Sequence, residues 1–259
     1  MKKTLLISLA LLTVLTIWFT CSNCRAIRRD TESKPVTHEA WDALVKKHVR
    51  QDGFVDYKGF IRDSNELNGY RRLLESAHPN DKNWTRNEQM AYWINAYNAY
   101  TVQLILRNYP VSSIKDIKKG VAFVNSVWDI KFIKIQGFMY DLNNIEHNIL
   151  RAVYKDARIH AAINCASWSC PKLLGEAYTA ANLDKQLDAA MRSFVNDPAR
   201  NRIRADKAEI SEIFKWFKGD FERDAGSLRN FLNRYSIEKI TDKTDISHID
   251  YDWRLNEEN

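Results

Sequence analysis

The segment that most restricts the fold is a long apolar run with a defined start and a defined stop. Thr85-Arg86-Asn87-Glu88 forms a capping box. In such a box the Thr hydroxyl accepts from the amide three residues on, and the Glu carboxylate reaches back to the cap amide. Met90, Trp93, Ile94, Tyr97, Thr101 and Leu104 then recur on one helical face, and Pro110 forces an end near Asn108. A helix this long and apolar must be covered by other elements, which predicts that it is the central helix of the fold. Asn95 and Asn98 interrupt it. Asparagine is a poor helix former, so each is expected to have a hydrogen-bond partner. A structural bond to a neighbouring loop is preferred over a site role; both are kept as candidate substrate-binding residues.

The remaining elements arrange themselves around that helix. Trp41, Leu44, Val45 and Val49 predict a helix over 38–50, and Asp52-Gly53 breaks it. A short extended piece at 54–57 precedes a second helix over 59–77. Residues 130–141 read as a β-hairpin turning at Gly137, followed by a helix over 142–154 with Leu142, Ile145, Ile149 and Val153 on its buried stripe. Glu146 borders that stripe, where a carboxylate is partly desolvated unless paired. His147 and Arg151 lie beside it. Further on come an amphipathic helix over 183–194 ended by Asp197-Pro198, a weak hairpin over 202–210, short helices at 213–217 and 228–235, and an extended end at 246–253. Helices outnumber irregularly spaced strands. The expected class is therefore α+β, a helix-rich single domain around a small antiparallel or mixed sheet.

The amino end has the form of an export signal. Lys2 and Lys3 precede an uncharged run from Leu5 to Phe19, too short for a comfortable transmembrane helix. Cys21 fits the lipid-modified first residue of an exported lipoprotein, although Trp18-Phe19-Thr20 is bulkier than the usual signal. Cys24-Arg25-Ala26 offers an ordinary cleavage site, and a retained anchor is the third option. The expected layout is a signal segment at 1–20, a polar linker at 21–37 and one domain at 38–256, exported to the periplasm or outer membrane, or secreted. Membrane attachment would run through a lipidated Cys21. The net charge of +6 falls to +4 without Lys2 and Lys3. Basic clusters stop at Arg28-Arg29 and Lys118-Lys119, so there is no nucleic-acid footprint. Eight Trp, eleven Tyr and eleven Phe imply first a thick aromatic core, and second an aromatic cleft for sugar or peptide.

Chemistry concentrates in Arg158-Ile159-His160-Ala161-Ala162-Ile163-Asn164-Cys165-Ala166-Ser167-Trp168-Ser169-Cys170-Pro171. Residues 158–164 are apolar and alternating enough for a buried strand, the next residues suit a tight loop, and Pro171 suits the first position of a helix. A cysteine nucleophile needs a base or cation to hold it as thiolate. Cys165 is the candidate nucleophile and His160 the candidate base, with Glu146 and His147 as further base or orienter candidates. On an ideal strand 160 and 165 face opposite ways, so a bulge or turn near Asn164 is required. Against this stand a Cys165–Cys170 disulfide, permitted in an oxidising compartment, a buried inert thiol, and a satisfied core histidine. No paired CxxC, HExxH, GxGxxG, P-loop or GxSxG occurs, so no cofactor or metal is implied.

Three ordered motifs resemble the DUF547 family: Tyr92-Trp93-Ile94-Asn95-Ala96-Tyr97-Asn98-Ala99, Ile145-Glu146-His147-Asn148-Ile149-Leu150-Arg151, and His160 to Ser167 through Cys170-Pro171. The C-terminal Tyr251-Asp252-Trp253-Arg254-Leu255-Asn256 is similar to the ending of its bacterial members. The resemblance implies a mixed α and β domain, with a papain- or transglutaminase-like arrangement as the architecture to test. It also implies a cysteine-hydrolase-like site carried here by Glu146, His147, His160 and Cys165. Plant relatives can have serine at the position of Cys170, which favours Cys165 as the functional thiol. The expectation is a thiol hydrolase or transferase of the cell envelope in which Cys165 attacks an amide or ester, His160 is the base and Glu146 orients it. Asn95, Asn98, Arg151 and Ser167 are the candidate binding residues, and the substrate is an unidentified peptide, glycan or lipid. The rival is a non-catalytic envelope binding or scaffold module.

Overall fold

The computed structural model describes residues 32–117 and 126–257. The signal run with Cys21 and Cys24, and Lys118-Lys119, lie outside the described residues. The central helix, α4 (Arg86–Asn108), has both capping-box bonds: Thr85 Oγ1 accepts from the Glu88 amide, and the Thr85 amide donates to Glu88 Oε2 at 2.7 Å. Every residue from Met90 to Ile105 is buried, so α4 is covered all round rather than on one face. Helices α1 (Glu39–His48), α2 (Tyr57–Arg62) and α3 (Ser64–Ser76) supply part of that cover. The expected single helix over 59–77 is divided at Asp63, whose side chain turns back to His48 Nε2 at 2.7 Å instead of joining the helix surface. The expected linker ends earlier than position 37: the Trp84 indole and the Asn80 amide both donate to the Ser33 carbonyl at 2.9 Å, and Val36 packs on the core.

The hairpin forms as expected, β1 (Ile133–Ile135) against β2 (Phe138–Tyr140), with Ile133 opposite Tyr140. Gln136 and Gly137 both have positive φ, 44° and 82°, as a two-residue turn matched to the twist of its strands requires. Helix α5 (Leu183–Val195) opens a second unit. It contains β3 (Arg202–Ile203), β4 (Lys207–Ser211), α6 (Ile213–Trp216), α7 (Lys218–Ala225), α8 (Leu228–Tyr235) and β5 (Asp245–Ile249). β3 pairs antiparallel with β4, and β4 parallel with β5, giving the small mixed sheet. The protein is a helix-rich α+β domain with two apolar clusters, one around α4 and one under this sheet. Among the described residues no helix is long and apolar enough to cross a membrane.

Two further segments differ from expectation. Residues 158–164 are not a strand: Ala157–Ala161 is a 3₁₀ helix whose first turn is capped by the Asp156 side chain on the Arg158 amide at 3.0 Å. Ala157 and Ala161 face the second cluster while Ile159, Ala162 and Ile163 face the first. Burial on both sides gives an apolar run that strand and helix share. Pro171 starts no helix. Its carbonyl accepts from Asn164 Nδ2 at 2.8 Å, and the next helix begins at Leu183. The predicted helix over 142–154 is present as Asn144–Tyr154 with π-type winding, a form that recurs at functional sites.

Candidate active site

The loop after the 3₁₀ helix is held from below by α4. Asn98 donates to the Ala162 carbonyl at 2.9 Å and accepts from the Asn164 amide at 2.8 Å. Asn164 in turn accepts from the Ala166 amide at 2.9 Å. Ala166 has φ 59° although it carries a Cβ. Such a residue costs about 1 kcal/mol or more, and the tertiary bonds around it supply the constraint. The tight turn sets Cys165 between the hydroxyl and thiol of its neighbours. Its sulfur lies 3.2 Å from Ser167 Oγ, 3.2 Å from the Tyr251 hydroxyl and 3.1 Å from Cys170 Sγ. Both cysteines are free thiols.

These contacts favour a thiolate. The hydrogen bond from Cys170 brings the Cys165 thiol down to about 7, and bonds from Ser167 and Tyr251 add to it against the opposing effect of burial. Cys170 moves the other way, pushed well up by burial and by the neighbouring Cys165. One sulfur is thereby poised to ionise and the other to keep its proton.

His160 is fixed from a direction that sequence order does not reveal. Its Nε2 donates to Asp220 Oδ2 at 2.8 Å, and its ring stacks on Phe217 at 4.0 Å. Asp220 also accepts from Arg151 Nε at 2.6 Å and Arg223 at 2.9 Å. Burial works to raise the Asp220 carboxyl, but its bonds from His160 and Arg151 outweigh it and hold the group well below the usual carboxylate range. Burial keeps His160 below its ordinary value, so the neutral ring predominates near pH 7. With Nε2 given to Asp220, Nδ1 is the basic nitrogen, and it makes no hydrogen bond among the described residues.

His160 and Cys165 border one open cavity of about 220 Å³. No hydrogen bond joins them in the described residues; the sulfur's partners are those above. The 3₁₀ helix and turn, rather than a bulged strand, bring both to this cavity. Glu146 and His147 border it too. Contrary to the expectation that Glu146 orients His160, Asp220 does so. Glu146 is buried with Tyr97 donating to Oε2 at 3.4 Å, and burial, then the charge of Cys165, raises it to about 7. His147 Nδ1 accepts from Arg151 at 2.8 Å, and its pKa is lowered by burial and by that guanidinium.

The expected binding residues separate. Ser167 is in contact with the thiol. Arg151 is engaged with Asp220 and His147, behind the cavity rather than on its wall. Asn98 latches the loop, and Asn95 latches a distant one, donating to the Tyr178 carbonyl at 2.7 Å and accepting from its amide at 3.0 Å. Both asparagines therefore take the structural reading. The wall is aromatic instead: Trp128, Trp216, Phe217, Tyr251 and Trp253, with Trp216 and Trp253 stacked at 5.9 Å. Asp220 carries no local signal in the sequence, being one carboxylate among many. Tyr251 and Trp253 do carry one, since both stand in the C-terminal motif that resembles the family's ending. Among the described residues no three His, Cys, Asp or Glu side chains gather to hold a metal ion.

A thiol, an imidazole and a carboxylate thus converge on an aromatic cavity at the seam of a helix-rich α+β domain. Comparison with protein families matches residues 82–195 to DUF547, described as a protein of unknown function. The match includes Glu146, His160, Cys165 and Cys170, and stops short of Asp220 and Tyr251. No curated protein and no solved structure matches the chain.

Proposed function

We propose that this domain is a thiol hydrolase or transferase acting on an amide or ester, exported to the cell envelope. The observation that carries the reading is the ionisable Cys165 thiol on a cavity that also holds a carboxylate-fixed imidazole. Cys165 attacks the carbonyl carbon and forms a thioester. The leaving amine or alcohol takes a proton from His160, which had received it from the thiol. His160 then takes a proton from water, or from an acceptor alcohol or amine, which attacks the thioester and frees the sulfur. Asp220 holds the ring with Nδ1 available throughout. Among the described residues neither lysine nor arginine borders the cavity, which favours a neutral, apolar acyl portion against the aromatic wall. Lys2 and Lys3 followed by the uncharged run from Leu5 to Phe19 support export.

Two measurements test this. The first is the rate of iodoacetamide labelling at Cys165 against pH, assigned by mass spectrometry, with an inflection expected near 7 rather than the free-thiol value of about 8.5. The second is accumulation of an acyl adduct on Cys165 from neutral activated esters, lost in Cys165→Ala. A Cys165 inert until the chain is denatured would instead make the domain a non-catalytic binding module.

A further inference from the structure

The Cys165–Cys170 pair is built for more than ionising one sulfur. The two thiols are 3.1 Å apart across a five-residue separation, and the Cys165 amide donates to Cys170 Sγ at 3.0 Å. Their positions differ in access. Both border the open cavity, but Cys165 is only partly buried whereas Cys170 is 2% exposed. A disulfide has its sulfurs about 2.05 Å apart, so closing the bond asks for a shift of about 1 Å from this arrangement. The backbone between them is already fixed as a turn.

We propose that Cys165 is a peroxide-reactive thiol and Cys170 its resolving partner, so that hydroperoxide closes a reversible disulfide that takes the site out of service. The Cys165 thiolate attacks one peroxide oxygen and the O–O bond breaks. The departing oxygen takes up the proton that the thiol released on ionising and leaves as water or an alcohol, and Cys165 becomes a sulfenic acid. Cys170 sulfur then attacks Cys165 sulfur; the S–S bond forms, the S–O bond breaks, and the hydroxyl leaves with the Cys170 proton as water. The two thiols supply the two electrons that reduce the peroxide. A dithiol reductant returns them and reopens the site.

The order of events is set by the neighbours. Ser167 and Tyr251 hydroxyls contact the Cys165 sulfur, so it is the one held as thiolate. Cys170 keeps its proton partly because the Cys165 charge sits beside it. Oxidation to a neutral sulfenic acid removes that charge and eases the ionisation of Cys170 at the moment it is needed. This inference shares the Cys165 thiol with the acyl-transfer reading and nothing else.

The test uses the reduced full-length chain, hydrogen peroxide as oxidant and dimedone as the sulfenic acid trap, with peptide mapping to separate Cys165 and Cys170 from Cys21 and Cys24. Wild type should show a Cys165–Cys170 bridge, little dimedone adduct, and iodoacetamide labelling lost and then restored by dithiothreitol. Cys170→Ser should show the dimedone adduct at Cys165 and, on longer exposure, sulfinic acid that dithiothreitol does not reverse. Sulfinic acid at Cys165 forming as fast in wild type as in Cys170→Ser, or no reaction before denaturation, would overturn the proposal. The bridge is read on wild type, so the outcome does not depend on the variant's folding. A chain that acylates but does not bridge removes this inference alone; one that bridges but never acylates removes only the hydrolase reading.

Discussion

Glu146 borders the cavity and Asp220 holds His160 at its edge, and their surroundings push the two carboxylates in opposite directions. Glu146 is buried with one long bond from Tyr97, and burial followed by the charge of Cys165 keeps it protonated up to about 7 against an ordinary 4.5. Between those values the folded chain holds a proton that the unfolded chain has lost, so stability falls as pH rises through that window. Glu146→Gln removes the penalty. It should leave stability near pH 4 unchanged and raise it above pH 7 by roughly 3 kcal/mol, at 1.36 kcal/mol per pKa unit. Urea midpoints at the two pH values measure this, and an equal gain at both would show that Glu146 is not the titrating group. Asp220 is the reverse case. Its depressed folded value gives stability that is present above the ordinary carboxylate range and lost as pH falls through that range and below it. Asp220→Asn leaves Arg151 facing a neutral amide and should cost about 2 kcal/mol, in the range for hydrogen bonds to charged groups, while flattening the acid limb of the stability curve. The opposite roles of these two groups are not legible in the sequence. Glu146 stands out there because a helical stripe passes beside it. Asp220 reaches His160 across 60 positions, a separation at which no local pattern speaks.

At the scale of elements, legibility follows whether an element has its own boundary chemistry. The capping box of α4 and the Gln136-Gly137 turn are written in a few adjacent residues, and both form as expected. The 3₁₀ helix at Ala157–Ala161 and the irregular chain after Pro171 take their shape from what surrounds them: two apolar clusters on either side, and Asn164 bonded to the Pro171 carbonyl. The same contrast separates Asn98 from Asn95. Both lie on α4 and both hold loop backbone, but only Asn98 holds the loop that carries Cys165. Either substitution by alanine orphans two buried backbone groups, which cost about 1–3 kcal/mol each before relaxation. Asn95→Ala and Asn98→Ala should therefore destabilise to a similar degree. Only Asn98→Ala should also shift the pH dependence of Cys165 alkylation upward, as the turn that gathers its donors loosens. Equal alkylation profiles in the two variants would mean that the turn holds its shape without α4.

Across the whole molecule, the site is closed by the far end of the chain. Asn256 accepts from the Tyr57 hydroxyl at 2.7 Å, a contact spanning 199 positions, and its backbone carbonyl accepts from the Val55 amide at 2.9 Å. Its own amide donates to the Ala166 carbonyl at 3.3 Å, and the Arg254 carbonyl accepts from the Trp168 amide at 2.7 Å. The C-terminal segment thus ties the Cys165 loop to the first helices while delivering Tyr251 to the sulfur and Trp253 to the cavity wall. Delivery and tying can be separated by substitution. Tyr251→Phe keeps the ring against Trp216 and Trp253 but removes a hydroxyl from the thiol and from Ser167, whose own hydroxyl donates to it at 2.9 Å. It should raise the alkylation inflection of Cys165 above 7 and change stability by about 1 kcal/mol, the net worth of a typical hydrogen bond. Asn256→Ala strips two side-chain bonds from buried partners, Tyr57 and Asn164. It should cost more, about 1–3 kcal/mol for the orphaned Tyr57 hydroxyl, since Asn164 Oδ1 keeps the Ala166 amide, and shift the inflection only as far as the loop moves. If Tyr251→Phe left the inflection in place, the thiol would owe its ionisation to Cys170 and Ser167 within the loop. The C-terminal segment would then be a strap on the fold and no part of the site's electrostatics.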